Sequence, residues 1–137
     1  MAYTIQRSGD FYAVPMGDVF CGEITRGEAH RFTYTVRCEG SNVDSRGFLM
    51  DQVDIRSMFD AIGEYTESCE LLAKRMAEQI LRASRQLDSV MCSISPAPNL
   101  EASFTATRAK LPARKLANAR TSTAKVSASY ADDYQAA

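Results

Sequence analysis

The sequence predicts an α+β domain, in which an antiparallel sheet of four strands carries two helices on one face. Segments in the first and last parts of the body alternate apolar and polar residues, which is the period of a strand. Two central segments repeat apolar residues every three or four positions, which is the period of a helix. The order is therefore β-β-α-α-β-β, and a hydrophobic share of 45% in 137 residues suffices for one core.

The strand signals of the first half lie in a few short segments. Residues 3–5 alternate, and residues 11–14 (FYAV) form a second extended run. Residues 31–40 (RFTYTVRCEG) alternate over their whole length and contain β-branched and aromatic residues, which predicts a long strand. Residues 40–47 hold Gly, Ser, Asn and Asp and predict a turn. Residues 48–51 (FLMD) are predicted to return as the paired strand of a hairpin.

Two helices are predicted between the strand pairs. The first covers residues 53–63, with Asp51 or Asp54 as its N-terminal cap and Gly63 at its end. The second begins at Ser68, which is a favourable N-cap because its hydroxyl can accept a backbone N–H. The two apolar stripes consist of Ile55, Met58, Phe59 and Ile62, and of Leu72, Met76, Ile80, Ala83 and Leu87. Both helices should therefore pack one face on the sheet.

Two short strands complete the predicted body. Residues 89–95 (SVMCSIS) alternate, residues 96–99 contain two prolines and predict a turn, and residues 102–107 form the last strand. These two strands are expected to form the second hairpin of the sheet.

Charge divides the chain after this strand. Residues 1–107 hold 10 Lys and Arg against 15 Asp and Glu, a net charge of −5, whereas residues 108–137 hold 6 against 2, a net charge of +4. The second segment is also rich in Ala, Ser and Thr and has few large aliphatic residues, so it cannot bury much apolar surface. We therefore predict a domain over residues 1–107 and a basic extension over residues 108–137 that is flexible or ordered by a partner.

The cysteines and the N-terminus indicate the compartment. Four cysteines are widely spaced and form no C-x-x-C pair, which favours reduced thiols over a disulfide framework or a structural zinc site. The N-terminus lacks the pattern of a secretory signal, and no apolar run approaches the length of a membrane span. We expect a soluble protein of the cytoplasm, or of the host cytoplasm or a particle if its origin is viral, without a membrane partner.

Five phrases occur in a characteristic order: FYAVP, EAH, VDSRGFLMD, ESCELLAKRMAEQI and SVMCSIS. Together they resemble the 6-pyruvoyl-tetrahydropterin and 6-carboxy-tetrahydropterin synthase family over residues 11–107. The resemblance implies the tunnelling fold (T-fold), in which ββααββ subunits close into barrels by forming oligomers. It also implies that the chain is a divergent member, because most positions of the family's active site are occupied by other residues.

The family's zinc histidines correspond to Pro15, Glu28 and His30, so only the last is retained. Its catalytic cysteine corresponds to Ile24, with Cys21 three residues earlier. The family's Asp-His pair has no counterpart in the short segment DAIGEYTES, and its pterin-binding glutamate corresponds to Ile94. Proline and isoleucine side chains neither bind a metal nor transfer a proton.

Three interpretations of the remaining chemistry stay open. Cys21, Glu28 and His30 could form a rebuilt zinc site, since thiolate, carboxylate and imidazole all bind zinc. His30 could instead act with Glu28 as an acid–base pair, because residues two apart on a strand share a face. It could also be a partly buried remnant without catalytic work. We favour the remnant and expect no cofactor.

The leading hypothesis for function is a non-catalytic T-fold protein with an assembly, structural or binding role. Exposed sheet edges predict a homo-oligomer, and the basic tail could contact neighbouring subunits or another macromolecule. The alternative is a zinc-dependent pterin or 7-deazapurine synthase-like enzyme with a rebuilt active site. A third possibility makes the tail an arm that binds nucleic acid through its positive charge.

Overall fold

The computed structural model describes residues 2–17 and 26–111, which contain five strands, two α-helices and one short 3-10 helix. In chain order the elements are β1 (Tyr3–Pro15), β2 (His30–Gly40), α1 (Gln52–Asp60), β3 (Glu64–Tyr65), α2 (Cys69–Ala83), β4 (Ser89–Ala97), β5 (Leu100–Thr107) and a 3-10 turn (Arg108–Lys110). The strands form one sheet in the order β3-β1-β2-β4-β5. The predicted α+β class is confirmed.

The sheet is built around the long ladder between β1 and β2. This antiparallel pairing runs from Tyr3 opposite Gly40 to Ala13 opposite His30. On its other side β2 pairs with β4, and β4 pairs with β5, again antiparallel. The short β3 lies parallel to the end of β1, beside Val14 and Pro15. The hairpin of β4 and β5 agrees with the sequence prediction.

The predicted pairing of residues 31–40 with residues 48–51 is wrong. β2 has β1 on one side and β4 on the other, so neither of its edges remains for a further strand. Residues 48–51 instead lead into α1, and the Leu49 side chain is buried in the core. The preceding turn is held by the Asp44 carboxylate, which accepts hydrogen bonds from the backbone N–H groups of Arg46 and Phe48, both at 2.9 Å. The two short runs expected before residue 15 form the single strand β1.

The helices begin where the sequence predicts. Of the two candidate caps for α1, Asp51 makes the bond, accepting from the N–H of Val53 at 2.9 Å. The Ser68 hydroxyl accepts from the N–H of Leu71 at 3.3 Å and caps α2. Helix α2 ends at Ala83, earlier than predicted, but Leu87 beyond it is still fully buried. Neither helix of the described residues is long and apolar enough to cross a membrane.

The two faces of the sheet differ in composition. Both helices pack on one side, which we call the covered face; it presents Phe11, Ala13, Phe32, Tyr34, Val36, Cys38, Val90, Cys92 and Ile94. The opposite side, the open face, presents Thr4, Gln6, Ser8, Asp10, Tyr12, Arg31, Thr33, Thr35, Arg37, Glu39, Met91, Ser93 and Ser95. Aromatic rings fill the covered face near α1, where Tyr34 stacks on Phe59 at 3.9 Å between ring centroids.

The chain after β5 is tied to the end of α2. The terminal nitrogen Nη2 of the Arg108 guanidinium donates hydrogen bonds to the backbone carbonyls of Leu81, Ser84 and Leu87, with distances of 2.7–3.0 Å. These carbonyls end or follow the helix, where backbone acceptors lack intrahelical partners; that of Ser84 also accepts from the N–H of Leu87 at 3.3 Å. Leu111 packs against the core. Residues 112–137, most of the predicted extension, lie outside the described residues, so the division at residue 107 stays a prediction.

Candidate functional site

The site implied by the sequence lies at the end of the β1–β2 ladder. Ala13 stands opposite His30, and Pro15 follows two residues later on the same face of β1. The Pro15 carbonyl accepts a hydrogen bond from the N–H of Gly27 at 2.7 Å, which holds the two chain segments together. The Pro15 side chain is buried, so an apolar ring occupies the position that the sequence resemblance assigns to a zinc histidine.

His30 is half-buried and held by two contacts. Its Nε2 lies 2.7 Å from the carbonyl oxygen of Pro96, and its ring stands edge-on to that of Phe32 at 5.0 Å between centroids. A carbonyl oxygen only accepts, so Nε2 carries the hydrogen and Nδ1 keeps the lone pair. The imidazole is therefore fixed in orientation and retains one nitrogen that can accept a proton or bind a metal.

The other two candidates do not complete a site within the described residues. Glu28 is exposed in the turn before β2, next to Gly27, whose φ of 85° favours glycine. Cys21 and Ile24 lie outside the described residues, so the convergence of Cys21, Glu28 and His30 stays a prediction. In residues 2–17 and 26–111, no three His, Cys, Asp or Glu side chains are grouped so that they could hold a metal ion.

Ile94, which the sequence resemblance places at a pterin-binding glutamate, is fully buried on the covered face opposite Tyr34. The segment between the helices forms β3, which the sequence did not reveal because a two-residue strand has no period. Its Tyr65 is buried and stands edge-on to Phe32 at 6.0 Å between ring centroids. In the sequence, the only indication of this buried position was a single aromatic residue between two segments that predict turns.

The buried thiols are unsuited to nucleophilic chemistry. Cys38 and Cys92 lie on neighbouring strands of the covered face and are fully buried. Burial away from water disfavours the thiolate and raises the pKa of each thiol to about 12. Since the thiolate is the reactive form, both side chains act as small apolar groups of the core.

Comparison with known proteins identifies the architecture. No protein-family model matches the chain, and no curated protein matches it in sequence. A catalytic-residue mutant of 6-pyruvoyltetrahydropterin synthase from Plasmodium vivax has a similar structure, with a TM-score of 0.57 and 10% identity, covering 78% of this chain and 99% of that one. The apo form of the archaeosine synthase QueF-Like has a TM-score of 0.53 and 14% identity, covering 80% and 96%.

The chain has the tunnelling fold. This confirms the fold expected from the phrases FYAVP to SVMCSIS, and the match extends over nearly the whole of both similar proteins. At identities of 10–14% the likeness concerns the fold alone. A T-fold hosts its chemistry in particular side chains, so function has to be argued from the residues of this chain.

Proposed function

We propose that the chain is a non-catalytic T-fold protein that assembles into a homo-oligomer through its sheet edges. The observation that carries the proposal is the long outer edge of β1, where only Val14 and Pro15 pair with β3 in the described part of the chain. At the other end of the sheet, no described strand covers the outer edge of β5. Each edge presents backbone N–H and C=O groups that can pair with another strand.

The strand directions suit a closed ring. Every pairing from β1 through β2 and β4 to β5 is antiparallel, so β5 runs opposite to β1. When the β5 edge of one copy meets the β1 edge of the next, the alternation continues without interruption. A heterologous contact of this kind closes into a ring if the rotation between copies permits it.

The non-catalytic part of the proposal is supported by what occupies the family's reactive positions. Pro15 and Ile94 are buried and chemically inert, and Glu28 is exposed to water. General acid–base catalysis needs a titrating group at the reacting atom, and neither proline nor isoleucine supplies one. His30, the one retained position, is held by a backbone carbonyl and an aromatic ring.

Sedimentation velocity of the full chain tests the assembly. We expect a species several times heavier than the 15.1 kDa chain, and a stable monomer at micromolar concentration would contradict the proposal. Ile5→Pro and Gln6→Pro form a matched pair, because successive N–H groups of a strand point to opposite neighbours. The variant whose lost N–H pointed toward β2 should lose a hydrogen bond of the ladder and become less stable. The variant whose lost N–H pointed toward the outer edge should stay folded but dissociate.

The alternative function is a zinc-dependent pterin or 7-deazapurine synthase-like enzyme with a rebuilt site. It is favoured by the His30 geometry, since metal-binding histidines donate their other ring N–H to a carbonyl or carboxylate. Zinc would supply a Lewis acid, with His30 Nδ1 and Glu28 as ligands in the described residues and Cys21 as the third. Metal analysis should then find about one zinc per chain, lost in His30→Ala, and less than about a tenth of that in both would exclude it.

The basic extension is proposed to contact a neighbouring subunit or another macromolecule. Truncation after Leu111 is the suitable experiment, because it keeps the Arg108 bonds to the end of α2. If the extension binds nucleic acid, affinity for a duplex should fall steeply with salt and disappear in the truncated chain. Nucleic-acid binding that survives truncation would exclude the extension as the nucleic-acid arm. If truncation instead dissociates the oligomer, the extension contacts a neighbouring subunit.

A further inference from the structure

A cleft of about 440 Å³ lies beside the middle of β1, on the side of α1. Arg7, Gly9 and Phe11 are among the residues that line it from β1, and Arg56 and Asp60 line it from α1. Its Arg7 end is separate from the position of His30, because Arg7 stands opposite Val36 whereas Ala13 stands opposite His30. The volume is in the range of small-molecule sites, which hold a few polar groups against apolar walls.

Arg7 distinguishes the cleft from the rest of the charged surface. Its side chain is half-buried, and its Nε donates to the Tyr34 hydroxyl at 3.2 Å. Among the described residues no carboxylate lies within ion-pair distance of this guanidinium, whereas Arg56 at the same cleft faces Asp60 at 3.7 Å. The terminal nitrogens of Arg7 make no hydrogen bond to the part of the chain that the structure describes, so they are available to an anion.

The guanidinium is held by a rigid support. The Tyr34 ring stacks on Phe59 at an angle of 7°, and the hydroxyl at its tip accepts the Arg7 bond. This fixes Nε and leaves the planar fork of Nη groups for a ligand, which is the geometry that binds a carboxylate with two parallel hydrogen bonds.

Gly9 lets the Tyr34 ring lie directly against β1. A Cβ atom at Gly9 would stand 3.0 Å from the Tyr34 hydroxyl oxygen, closer than such contacts normally are. The Tyr34 ring therefore occupies the space over Gly9 and is almost fully buried there. This packing holds in place the hydroxyl that accepts the Arg7 hydrogen bond.

The charges of the lining determine the ligand's charge. Asp60 faces Arg56, and Asp10 is bound by Arg31 at 2.9 Å on the open face. Arg7 is thus the one lining guanidinium without a carboxylate in the described residues. We propose that this cleft is a binding site for a small monocarboxylate, whose carboxylate pairs with Arg7.

Titration of the ¹⁵N-labelled full chain with sodium benzoate tests the site, with benzamide as the neutral isostere. Benzoate should shift the amide signals around Arg7 and Gly9 with a dissociation constant of order millimolar, and benzamide should not. Arg7→Gln should weaken binding about tenfold or more, because it removes the charge and the fork. Arg46→Gln is the matched control, since Arg46 pairs with Asp44 on an exposed turn, and it should leave binding unchanged.

Arg7→Lys provides a second variant that keeps the positive charge but removes the planar fork, so it should also weaken benzoate binding while the chain stays folded. Equal affinity of the Arg7→Gln and Arg7→Lys variants and the unmodified chain would overturn the proposal. The proposal would also be overturned if benzamide bound as tightly as benzoate, or if the shifts of the amide signals did not saturate at about 10 mM benzoate. The cleft lies along β1, whose outer edge the proposed assembly uses, so the titration is carried out at concentrations where sedimentation shows the monomer. A monomer at all concentrations contradicts the assembly, and a failed titration of the monomer contradicts the binding site.

Discussion

The covered and open faces of the sheet differ in how their side chains are stabilised. On β2, Phe32, Tyr34 and Val36 are almost fully buried under the helices, whereas Thr33 and Arg37, which point the other way, are exposed. The covered face removes apolar surface from water and so stabilises a single chain. The open face is already satisfied by polar contacts with water and with itself, as in the Ser8–Thr35 hydroxyl pair at 3.1 Å.

This difference indicates where a partner is needed. Polar cross-strand contacts recur along the open face, including the Arg31–Asp10 pair and the Ser93 hydroxyl that donates to Glu101. Such a face does not require an apolar cover. The outer edge of β1 is a different case, because within residues 2–17 and 26–111 it pairs only at Val14 and Pro15, and its other N–H and C=O groups present a template for another strand. Assembly should therefore depend on edges more than on either face.

The largest effect is expected on the covered face. Phe32→Ala removes a fully buried ring that stacks on Phe11 at 5.1 Å between centroids, and should lower the free energy of unfolding by about 3–5 kcal/mol. Urea unfolding monitored by circular dichroism measures it. A loss below about 1 kcal/mol would mean that the aromatic cluster is not the core of the fold.

A second strong effect is expected where β2 ends under the loop that follows α2. A Cβ atom at Gly40 would collide with the carbonyl oxygen of Gln86 and approach a Leu49 methyl group to 2.6 Å. Gly40→Ala should therefore destabilise the chain by about 3 kcal/mol, since backbone cannot move aside as a flexible side chain does. Gly47→Ala separates crowding from backbone strain, because nothing lies within 4 Å of its Cβ position but its φ of 88° disfavours alanine. It should therefore cost only about 1 kcal/mol.

The covered face should also make stability depend on alkaline pH. Burial raises the pKa of the Cys92 thiol from its ordinary 9.0 to about 12, so the folded state holds a proton that the unfolded state releases. This contribution is complete below pH 9.0 and is lost as pH rises toward 12. At one pH unit above the ordinary value the loss should reach about 1.4 kcal/mol at most. Cys92→Ala should have a smaller stability decrease between pH 8 and 10 than the unmodified chain, and equal slopes would contradict this assignment.

Elements with their own local signal were predictable from the sequence. The caps Asp51 and Ser68, the stripes of both helices and the alternation of β2 are each set by neighbours a few residues away. The pairing of β2 was not, because residues 48–51 are short and apolar and periodicity does not identify a partner strand. The first half of β1 is polar and holds Gly9 and Asp10, so only its ladder with β2 makes it a strand.

The candidate sites show the same limit. The position of His30 at the end of a strand followed from alternation and from the resemblance, but its bond to Pro96 joins residues 66 apart in sequence. Arg7 and Tyr34 are 27 apart and belong to no motif, so nothing local indicated the cleft beside α1. Long-range strand register creates both arrangements, and composition and spacing do not determine it.

The smallest effect is expected at Thr33 on the open face, which is next to Phe32, where the largest effect is expected. Thr33→Ala changes an exposed residue whose side chain points away from the helices, and it should cost about 0.5 kcal/mol, mainly through lost β-propensity in a central strand. The same urea experiment measures it beside Phe32→Ala, so the two adjacent substitutions report the two faces directly. If Thr33→Ala instead costs more than about 2 kcal/mol at concentrations where the oligomer forms, and much less in dilute monomer, then the open face is buried by assembly. The contrast between the faces would then hold only for the isolated subunit, and the ring would be stabilised by contacts across its lumen as well as along its edges.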